Sequence, residues 1–168
     1  HGNPNLYYLG VIIRDGETVL DSVRERFGIR EVVIDSGWNW YLNGLRIFIR
    51  GTNIIPTQWL SEYNSKMIAS DIRLLKDANV NAVRVHAHVN REEFYSACDD
   101  NGIMVWQDFA LQWWYSRSDD FAGKAVSQIR DMVRTFYNHP SIVVWCCHNE
   151  PDLQQLRGLD KLLLTAAS

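Results

Sequence analysis

The chain has 168 residues, of which 46% are hydrophobic and 22% are charged, and its formal net charge is -3. This composition supports a packed core, and the length suffices for one ordinary domain but not for a complete eight-stranded barrel, which needs about 250 residues. The sequence contains no basic stripe, which argues against nucleic acid as the main partner, and no apolar stretch long enough to span a membrane.

The amino-terminal part of the chain is predicted to be β-structure. Residues 6–13 and 18–23 predict two strands separated by an Asp15-Gly16 turn, and residues 27–34 predict a further extended segment. No helical period interrupts this region, so we expect a β-rich unit at the start of the chain.

A hairpin is predicted where the pattern changes, near residue 37. Asn43-Gly44 separates apolar arms at residues 40–42 and 45–49, and both turn residues of such a hairpin must accept positive φ. The second arm continues to Asn53, and its end is predicted to be the first strand of a new domain.

Strands and helices alternate from this point to the end of the chain. The pattern predicts strands at residues 81–86, 103–106 and 142–147, and helices at residues 65–78, 90–100, 119–137 and 153–167. Asn90 is predicted to cap the second helix, and Asn101-Gly102 to end it. Strands that are apolar throughout belong to sheets covered on both faces, and no glycine-rich phosphate loop follows any of them. The sequence therefore predicts an α/β fold and favours half a parallel barrel over a dinucleotide-binding fold.

Polar side chains follow each of the four predicted parallel strands. These residues are Arg50, Thr52 and Asn53 after the first strand; Arg84, His86 and His88 after the second; Trp106, Gln107 and Asp108 after the third; and His148, Asn149 and Glu150 after the fourth. The carboxyl ends of barrel strands form one rim, where active sites are assembled. We therefore expect a single site at this rim.

Glu150 is the foremost catalytic candidate. A carboxylate directly after a buried strand is costly unless it is used, and glycoside cleavage needs an acid that protonates the leaving oxygen. We predict this role for Glu150, with a helix cap or loop carboxylate as the alternative. Asn149 is predicted to donate a hydrogen bond to a sugar hydroxyl beside the reacting carbon, and a turn-forming asparagine is its alternative.

Four other polar residues are candidates for substrate contacts. Arg84 is predicted to orient a carboxylate or to form a structural ion pair. His86 and His88 alternate onto one face of the predicted strand, where they contact substrate or are satisfied polar residues. Asp108 is predicted to accept sugar hydroxyls or to cap a loop. Two histidines without a third ligand do not indicate a metal, and none is predicted.

Aromatic residues and His148 complete the predicted substrate site. Trp106, Trp113 and Trp114 are expected to wall the pocket, because aromatic rings stack on the apolar faces of sugars, although the same residues also fill cores. The three cysteines, Cys98, Cys146 and Cys147, show no metal-ligand spacing and are predicted to be buried thiols.

Seven short stretches occur in order between residues 4 and 151. They are Phe27-Gly28-Ile29-Arg30, Leu42-Asn43-Gly44, Arg50-Gly51-Thr52-Asn53, Asn81-Ala82-Val83-Arg84, Trp106-Gln107-Asp108-Phe109, Asn138-His139-Pro140-Ser141 and Asn149-Glu150. Together they resemble glycoside hydrolase family 2, within the clan of retaining barrel glycosidases. The stretches at residues 106–109 and 138–141 resemble the β-mannosidase branch most.

This resemblance implies a fold and a reaction. Residues 1–36 would be the last strands of an immunoglobulin-like β-sandwich, and residues 37–168 the first half, strands one to four, of a (β/α)8 TIM barrel. Glu150 would be the acid/base, Asn149 would contact the substrate 2-hydroxyl, and Arg84 would lie near the nucleophile. The reaction would be hydrolysis with retention through a glycosyl-enzyme intermediate, with no organic cofactor.

The resemblance also implies what this chain lacks. The family's nucleophile is a glutamate on strand seven, and a retaining mechanism needs two carboxyls about 5 Å apart. We therefore expect the chain to be inactive alone and to need the remainder of a parent protein. The expected substrates are terminal β-mannosides or related β-glycosides. Galactosides, glucuronides and glucosaminides stay open, because residues 85–88 and 108–114 depart from the usual mannosidase forms.

Two other functional classes compete with this interpretation. The first is a complete small enzyme on an open α/β sheet, with Glu150 and Asp108 as its two carboxyls. The second is a non-catalytic carbohydrate-binding module that uses Trp113 and Trp114 as its platform. In every case a carbohydrate is the expected partner.

Overall fold

The computed structural model describes residues 3–57, 59–151 and 157–168. The strands are β1 (Leu6–Asp15), β2 (Thr18–Gly28), β3 (Val32–Ile34), β4 (Trp40–Leu42), β5 (Leu45–Ile47), β6 (Gly51–Ile54), β7 (Ala82–Val85), β8 (Met104–Asp108) and β9 (Ile142–Cys146). The α-helices are α1 (Ser65–Asp77), α2 (Glu92–Asn101), α3 (Asp119–Phe136) and α4 (Gly158–Ala167). No helix in the described ranges is long and apolar enough to cross a membrane.

The first two strands form a long antiparallel ribbon. β1 and β2 pair from Leu6↔Gly28 to Asp15↔Thr18, around a turn in which Gly16 has a φ of 58°. β2 runs past the predicted end at residue 23, because pairing with β1 holds the chain extended along the whole ribbon. Apolar side chains on the ribbon, such as Ile12 and Leu20, face solvent.

A small antiparallel sheet follows, with the strand order β3-β4-β5. Asn43 and Gly44 turn the chain between β4 and β5 with φ values of 51° and 75°, so the hairpin prediction is confirmed. β3 pairs with β4, and the boundary proposed after residue 36 lies in the loop between these two strands. That domain boundary stays a prediction.

The remaining strands form one parallel sheet in chain order, β6-β7-β8-β9. Helices cover one face, where the hydrophobic core lies, and this arrangement confirms the α/β prediction. Val83, Val85 and Val105 project into the core from the sheet and are at most 1% exposed. The helices contribute Ile68, Ile72 and Leu75 from α1, Phe94, Tyr95 and Cys98 from α2, Ala125, Ile129, Met132 and Phe136 from α3, and Leu159 and Leu163 from α4.

The opposite, concave face of the parallel sheet lines an open cavity of about 590 Å³. Side chains alternate across a strand, so Arg84 and Trp106 point to this face while their neighbours enter the core. Trp38 and Trp40, which lie before β5, also line it.

The helix ends agree with the predicted capping signals, with one exception. Gly102 ends α2 in the left-handed conformation, as predicted. The prediction that Asn90 caps the start of this helix is wrong, because the capping position is Arg91 and no side chain bonds the helix there. The backbone N–H of Asn90 donates to the Tyr95 hydroxyl at 2.9 Å. Of the predicted fourth helix, residues 153–156 lie outside the described residues, and α4 begins at residue 158.

The ribbon docks at the amino ends of the parallel strands, away from the strand exits. Arg26 of β2 pairs with Asp100 at 2.7 Å, and the Asn138 side chain donates to the Arg26 carbonyl at 2.8 Å. Beneath them, the buried Asp99 carboxylate accepts the Ser141 amide N–H and contacts His139.

Candidate functional site

Three neighbouring strand exits are joined through one guanidinium group. Arg84 lies near the end of β7. Its Nε donates to both carboxylate oxygens of Asp108 at 3.0 Å, and its Nη2 lies 2.7 Å from Asp108 Oδ2. The same Nη2 donates to Asn149 Oδ1 at 2.7 Å. The structure therefore brings Arg84, Asp108 and Asn149 together at one rim.

Asp108 is buried below this rim, and its side chain is fully inaccessible. Besides Arg84, its Oδ2 accepts the Ala87 amide N–H at 3.0 Å, where the chain turns sharply with a φ of 53°. The hydrogen bond that Arg84 donates to Asp108 is the main reason that the pKa of Arg84 lies above its ordinary value. Both oxygens of Asp108, which was predicted to accept sugar hydroxyls, are occupied beneath the guanidinium by Arg84 and the Ala87 N–H.

Asn149 is 1% exposed, and its backbone is held at both ends. Its backbone N–H donates to the Leu111 carbonyl at 2.8 Å, and its backbone carbonyl accepts the Trp113 backbone N–H at 3.2 Å. Arg84 binds Oδ1, while Nδ2 is buried without a hydrogen-bond partner in the described part of the chain. The side-chain N–H group is thus a fixed donor available to a ligand hydroxyl or a water molecule.

Glu150 stands at the solvent edge of the same rim. Its side chain is exposed, and Oε2 accepts the indole N–H of Trp113 at 2.9 Å. Its negative charge contributes to the raised pKa of Arg84, because the two groups are close. Among the described residues, Glu150 is thus the carboxylate at this rim that a substrate can reach.

The strand alternation predicted for His86 and His88 does not extend to these residues. The strand ends at Val85, and the turn at Ala87 separates His86 from His88. His88 Nδ1 lies 3.0 Å from the His86 carbonyl oxygen, and burial lowers the His88 pKa below its ordinary value. His88 lines a separate small cavity of about 160 Å³, so the predicted alternation is wrong. The described residues contain no group of three side chains that could hold a metal ion.

His148, which was also predicted to bind substrate, is buried against α4 in this structure. Its side chain is 3% exposed, and Nδ1 lies 3.2 Å from Asp160 Oδ1 on α4. Tyr115 packs against the ring. Side chains alternate in an extended chain, so the neighbour of a rim residue such as Asn149 points to the opposite side.

The three tryptophans occupy different levels of the site. Trp106 lies inside the concave face, with its ring centroid 6.0 Å from Arg84 Cζ. Trp113 and Trp114 are 55% and 64% exposed on the loop after β8, and only Trp113 is seen to hydrogen-bond Glu150 in the described ranges. The structure thus brings Trp106 and Trp113 to Arg84 and Glu150, respectively.

Gln107 is a supporting residue that the sequence analysis places at a strand exit without giving it a role. It is fully buried on the helix side of β8, where Oε1 accepts the Tyr95 hydroxyl at 2.6 Å. Its Nε2 donates to the carbonyls of His88 and Asp108, both at 2.7 Å. A glutamine within an apolar strand is the signal that would have identified it, because a buried amide requires partners.

The cysteines are free thiols in the described structure. Cys98 and Cys147 are buried, and Cys146 is partly buried. Burial raises the pKa of Cys147 to about 11, so these thiols do not resemble activated nucleophiles.

Comparison with known proteins connects this geometry to an enzyme family. The family profile described as "Glycosyl hydrolases family 2, TIM barrel domain" matches residues 34–165. A β-mannosidase of Bos taurus is 33% identical over 171 residues, which cover 94% of this chain and 20% of that protein. A putative β-glucuronidase of Formosa agariphila is 30% identical over 168 residues, which cover 95% of this chain and 20% of that protein.

Solved structures agree with the sequence comparison. A β-D-mannosidase from Dictyoglomus thermophilum superimposes with a TM-score of 0.79 and 33% identity, covering 89% of this chain and 20% of that chain. This chain therefore spans about a fifth of the length of the curated relatives it matches. The parallel sheet corresponds to part of a TIM barrel.

Proposed function

Because this chain belongs to glycoside hydrolase family 2, we propose that it carries the acid/base side of a retaining glycosidase site. The family profile covers residues 34–165, and two relatives with 30–33% identity cover 94–95% of the chain. The observation that carries the proposal is the position of Glu150, an accessible carboxylate beside Asn149 and Arg84 at one strand rim.

Glu150 is the general acid and general base of this proposal. In the first step its protonated carboxyl gives a proton to the departing glycosidic oxygen, and in the second step the carboxylate removes a proton from the attacking water. Its exposure supports this role, since the leaving group and the water both have to reach the carboxyl oxygens.

Asn149 and Arg84 organise the sugar side of the site. The unpartnered Nδ2 of Asn149 is suited to donate to the sugar 2-hydroxyl, a bond that strengthens as the ring flattens in the transition state. Arg84 holds the amide by its oxygen, so Nδ2 is left as the unpaired donor. Asp108 in turn holds Arg84.

The nucleophile is proposed to come from outside these 168 residues. Asp108 is a poor second carboxyl, because it is fully buried and bound to Arg84 and Ala87. A second carboxylate about 5 Å from Glu150 would have to be supplied by the remainder of a parent protein. On this basis the isolated chain is expected to be inactive.

A β-mannoside or a related β-glycoside is the proposed substrate. The relatives named β-mannosidase in Bos taurus and Dictyoglomus thermophilum, each 33% identical, support the mannoside. The relative named putative β-glucuronidase, at 30% identity, keeps a glucuronide as the first alternative, with galactosides and glucosaminides next.

A non-catalytic carbohydrate-binding fragment is the second candidate, favoured by the exposure of Trp113 and Trp114. Calorimetry with mannose and short mannans separates it from the first. Tight binding by the 168-residue chain that is lost in Trp114→Ala and retained in Glu150→Gln would favour the binding fragment.

The test is turnover by the full-length protein that contains this sequence. A panel of nitrophenyl β-mannoside, β-glucuronide, β-galactoside and β-glucosaminide identifies the sugar. Glu150→Gln should lower kcat/KM by about 10²–10⁴-fold. Glu25→Gln, an exposed change on the ribbon, is the control and should leave the rate unchanged.

Two results would overturn the proposal. One is full activity in the Glu150→Gln protein. The other is equal activity in the 168-residue chain and the full-length protein, which would favour a complete small enzyme.

A further inference from the structure

The loop after β8 is fastened to the loop after β9 next to the proposed acid/base. Gln112 and Asn149 form a parallel β-bridge, and backbone hydrogen bonds join Leu111 and Trp113 to Asn149 on either side of it. The indole N–H of Trp113 then donates to Glu150 Oε2 at 2.9 Å. The backbone and one side chain of the first loop thus both hold the second loop.

Trp113 and Glu150 also share an unusual backbone conformation. Their φ values are 55° and 47°, in the left-handed region that residues other than glycine rarely adopt. Such conformations persist only where surrounding contacts enforce them, and they concentrate at functional sites. These two conformations lie at the two ends of the hydrogen bond from the Trp113 indole to the Glu150 carboxylate.

An exposed glutamate side chain has many rotamers, and only a few of them place its carboxyl at a glycosidic oxygen. Proton transfer requires the carboxyl within hydrogen-bond reach of the leaving oxygen, in a fixed direction. A single directional donor on one carboxylate oxygen restricts the rotation of the group and leaves the other oxygen available. Water competes for this exposed hydrogen bond and reduces its contribution to stability. The main effect of the bond is therefore to orient the Glu150 carboxyl.

We propose that Trp113 is a positioning residue, whose indole N–H holds the Glu150 carboxyl in the orientation that delivers a proton to the leaving group. This inference rests on the proposed function of Glu150 and adds a determinant of that function. It differs from a stacking role for the Trp113 ring, because stacking needs the aromatic face and orientation needs the N–H.

Trp113→Phe separates the two roles, because it keeps an aromatic ring and removes the donor. The measurement is kcat/KM of the full-length protein for two glycosides of the same sugar, one with phenol and one with 2,4-dinitrophenol as the leaving group. Phenolate needs a proton to depart, whereas dinitrophenolate leaves without one. Loss of orientation should lower kcat/KM about tenfold for the phenyl glycoside and less than about twofold for the dinitrophenyl glycoside.

Trp114→Phe is the matched control. This residue is exposed on the same loop, and in the described structure it is not seen to bond Glu150. Any effect of this change should be equal for the two leaving groups. An equal loss in Trp113→Phe, or no loss, would overturn the positioning role and leave the function of Glu150 intact.

A spectroscopic readout tests the contact without relying on activity. In full-length protein labelled with 5-fluorotryptophan, the ¹⁹F resonance that disappears in Trp113→Phe belongs to this indole. It should shift in Glu150→Gln and stay in place in Glu25→Gln. An unmoved resonance would overturn the inference. A moved resonance in a protein that cleaves no glycoside would refute the proposed function, and the positioning role with it.

Discussion

Arg84 and Asp108 lie on neighbouring strands, and Asp108 binds both Nε and Nη2 of the guanidinium at 2.7–3.0 Å. The carboxylate is fully buried, whereas the Arg84 side chain is 32% exposed toward the concave face. Through Asn149 the same guanidinium also reaches the exit of β9. This one pair therefore sets the relative positions of the polar groups at three strand ends.

Removing the carboxylate of this pair should destabilise the chain strongly. Asp108→Ala removes the carboxylate that accepts from Arg84 and from the Ala87 backbone N–H, and Arg84, which is 32% exposed, keeps Asn149 as an acceptor, so we expect a loss of about 1.5–3 kcal/mol. Urea unfolding of the 168-residue chain measures the loss. Asp120→Asn is the control, because Asp120 forms an exposed pair with Lys124 on α3 and should change stability by less than about 0.5 kcal/mol. Similar losses in both variants would contradict this account.

Asn149→Asp should separate folding from catalysis. The variant keeps an oxygen for Arg84, whose positive charge offsets part of the cost of a buried carboxylate, but it loses the Nδ2 donor. In the full-length protein we expect kcat/KM to fall by about 10²-fold, because the bond to the sugar 2-hydroxyl is strongest in the transition state. A 2-deoxy glycoside lacks that hydroxyl, and the variant and the unmodified protein should cleave it at similar rates. An equal loss on both substrates would assign Asn149 a different role.

Tyr95→Phe should weaken the support under the rim. The Tyr95 hydroxyl donates to Gln107 Oε1 at 2.6 Å and accepts the Asn90 N–H at 2.9 Å, and the side chain is fully buried. Removing it leaves two buried polar groups unpaired, at a cost of about 1–3 kcal/mol in the free energy of unfolding. Tyr137→Phe, at a position 71% exposed, should have almost no effect in the same urea titration. If Tyr95→Phe left the free energy of unfolding unchanged, water would have to replace the hydroxyl.

Gly28→Ala should disturb the contact between the ribbon and the parallel sheet. A Cβ at residue 28 would lie 2.7 Å from both Cβ and Cγ of Pro140, whose ring is rigid. Overpacking of this kind costs about 1–3 kcal/mol. Gly10→Ala is the matched control, because Gly10 lies on the same ribbon and an added Cβ there would meet nothing within 4 Å. Thermal unfolding should show a lower midpoint for Gly28→Ala alone, and equal midpoints would refute the docking contact.

Acidification should destabilise the fold partly through His88. Burial lowers the pKa of His88 below its ordinary value of 6.5, so in the acidic range the unfolded chain binds a proton that the folded chain does not. This contribution to stability is present above pH 6.5 and is lost as the pH falls through the lower folded-state pKa. The urea midpoint should therefore drop between about pH 7.5 and pH 5.5, and less so in His88→Gln. An identical pH dependence in both proteins would exclude His88 as the source.

Local signals in the sequence predicted most of the secondary structure. The hairpin at Asn43-Gly44 and the helix end at Gly102 follow from backbone conformations that these residues adopt easily. The buried stripe of α3, which includes Ile129 and Met132, follows from helical periodicity. The start of α2 differs from the prediction, because Asn90 Oδ1 accepts the N–H of the next residue, Arg91, rather than one inside the helix. The Asn90 backbone N–H is held by the buried Tyr95 hydroxyl.

The sequence likewise predicts one part of the candidate site, and tertiary packing decides the other. The order of apolar strands and polar exits was enough to indicate a parallel α/β sheet with Arg84, Asn149 and Glu150 at one rim, because strand direction places those positions together. Only the folded chain decided where their neighbours point. Asp108 lies beneath Arg84 and His148 lies against α4, because each of these buried groups pairs with a residue from another segment. His88 lines a separate cavity, because the turn at Ala87 redirects the chain after β7. The bond from Trp113 to Glu150 likewise joins residues 37 positions apart, and no local pattern in the sequence encodes it.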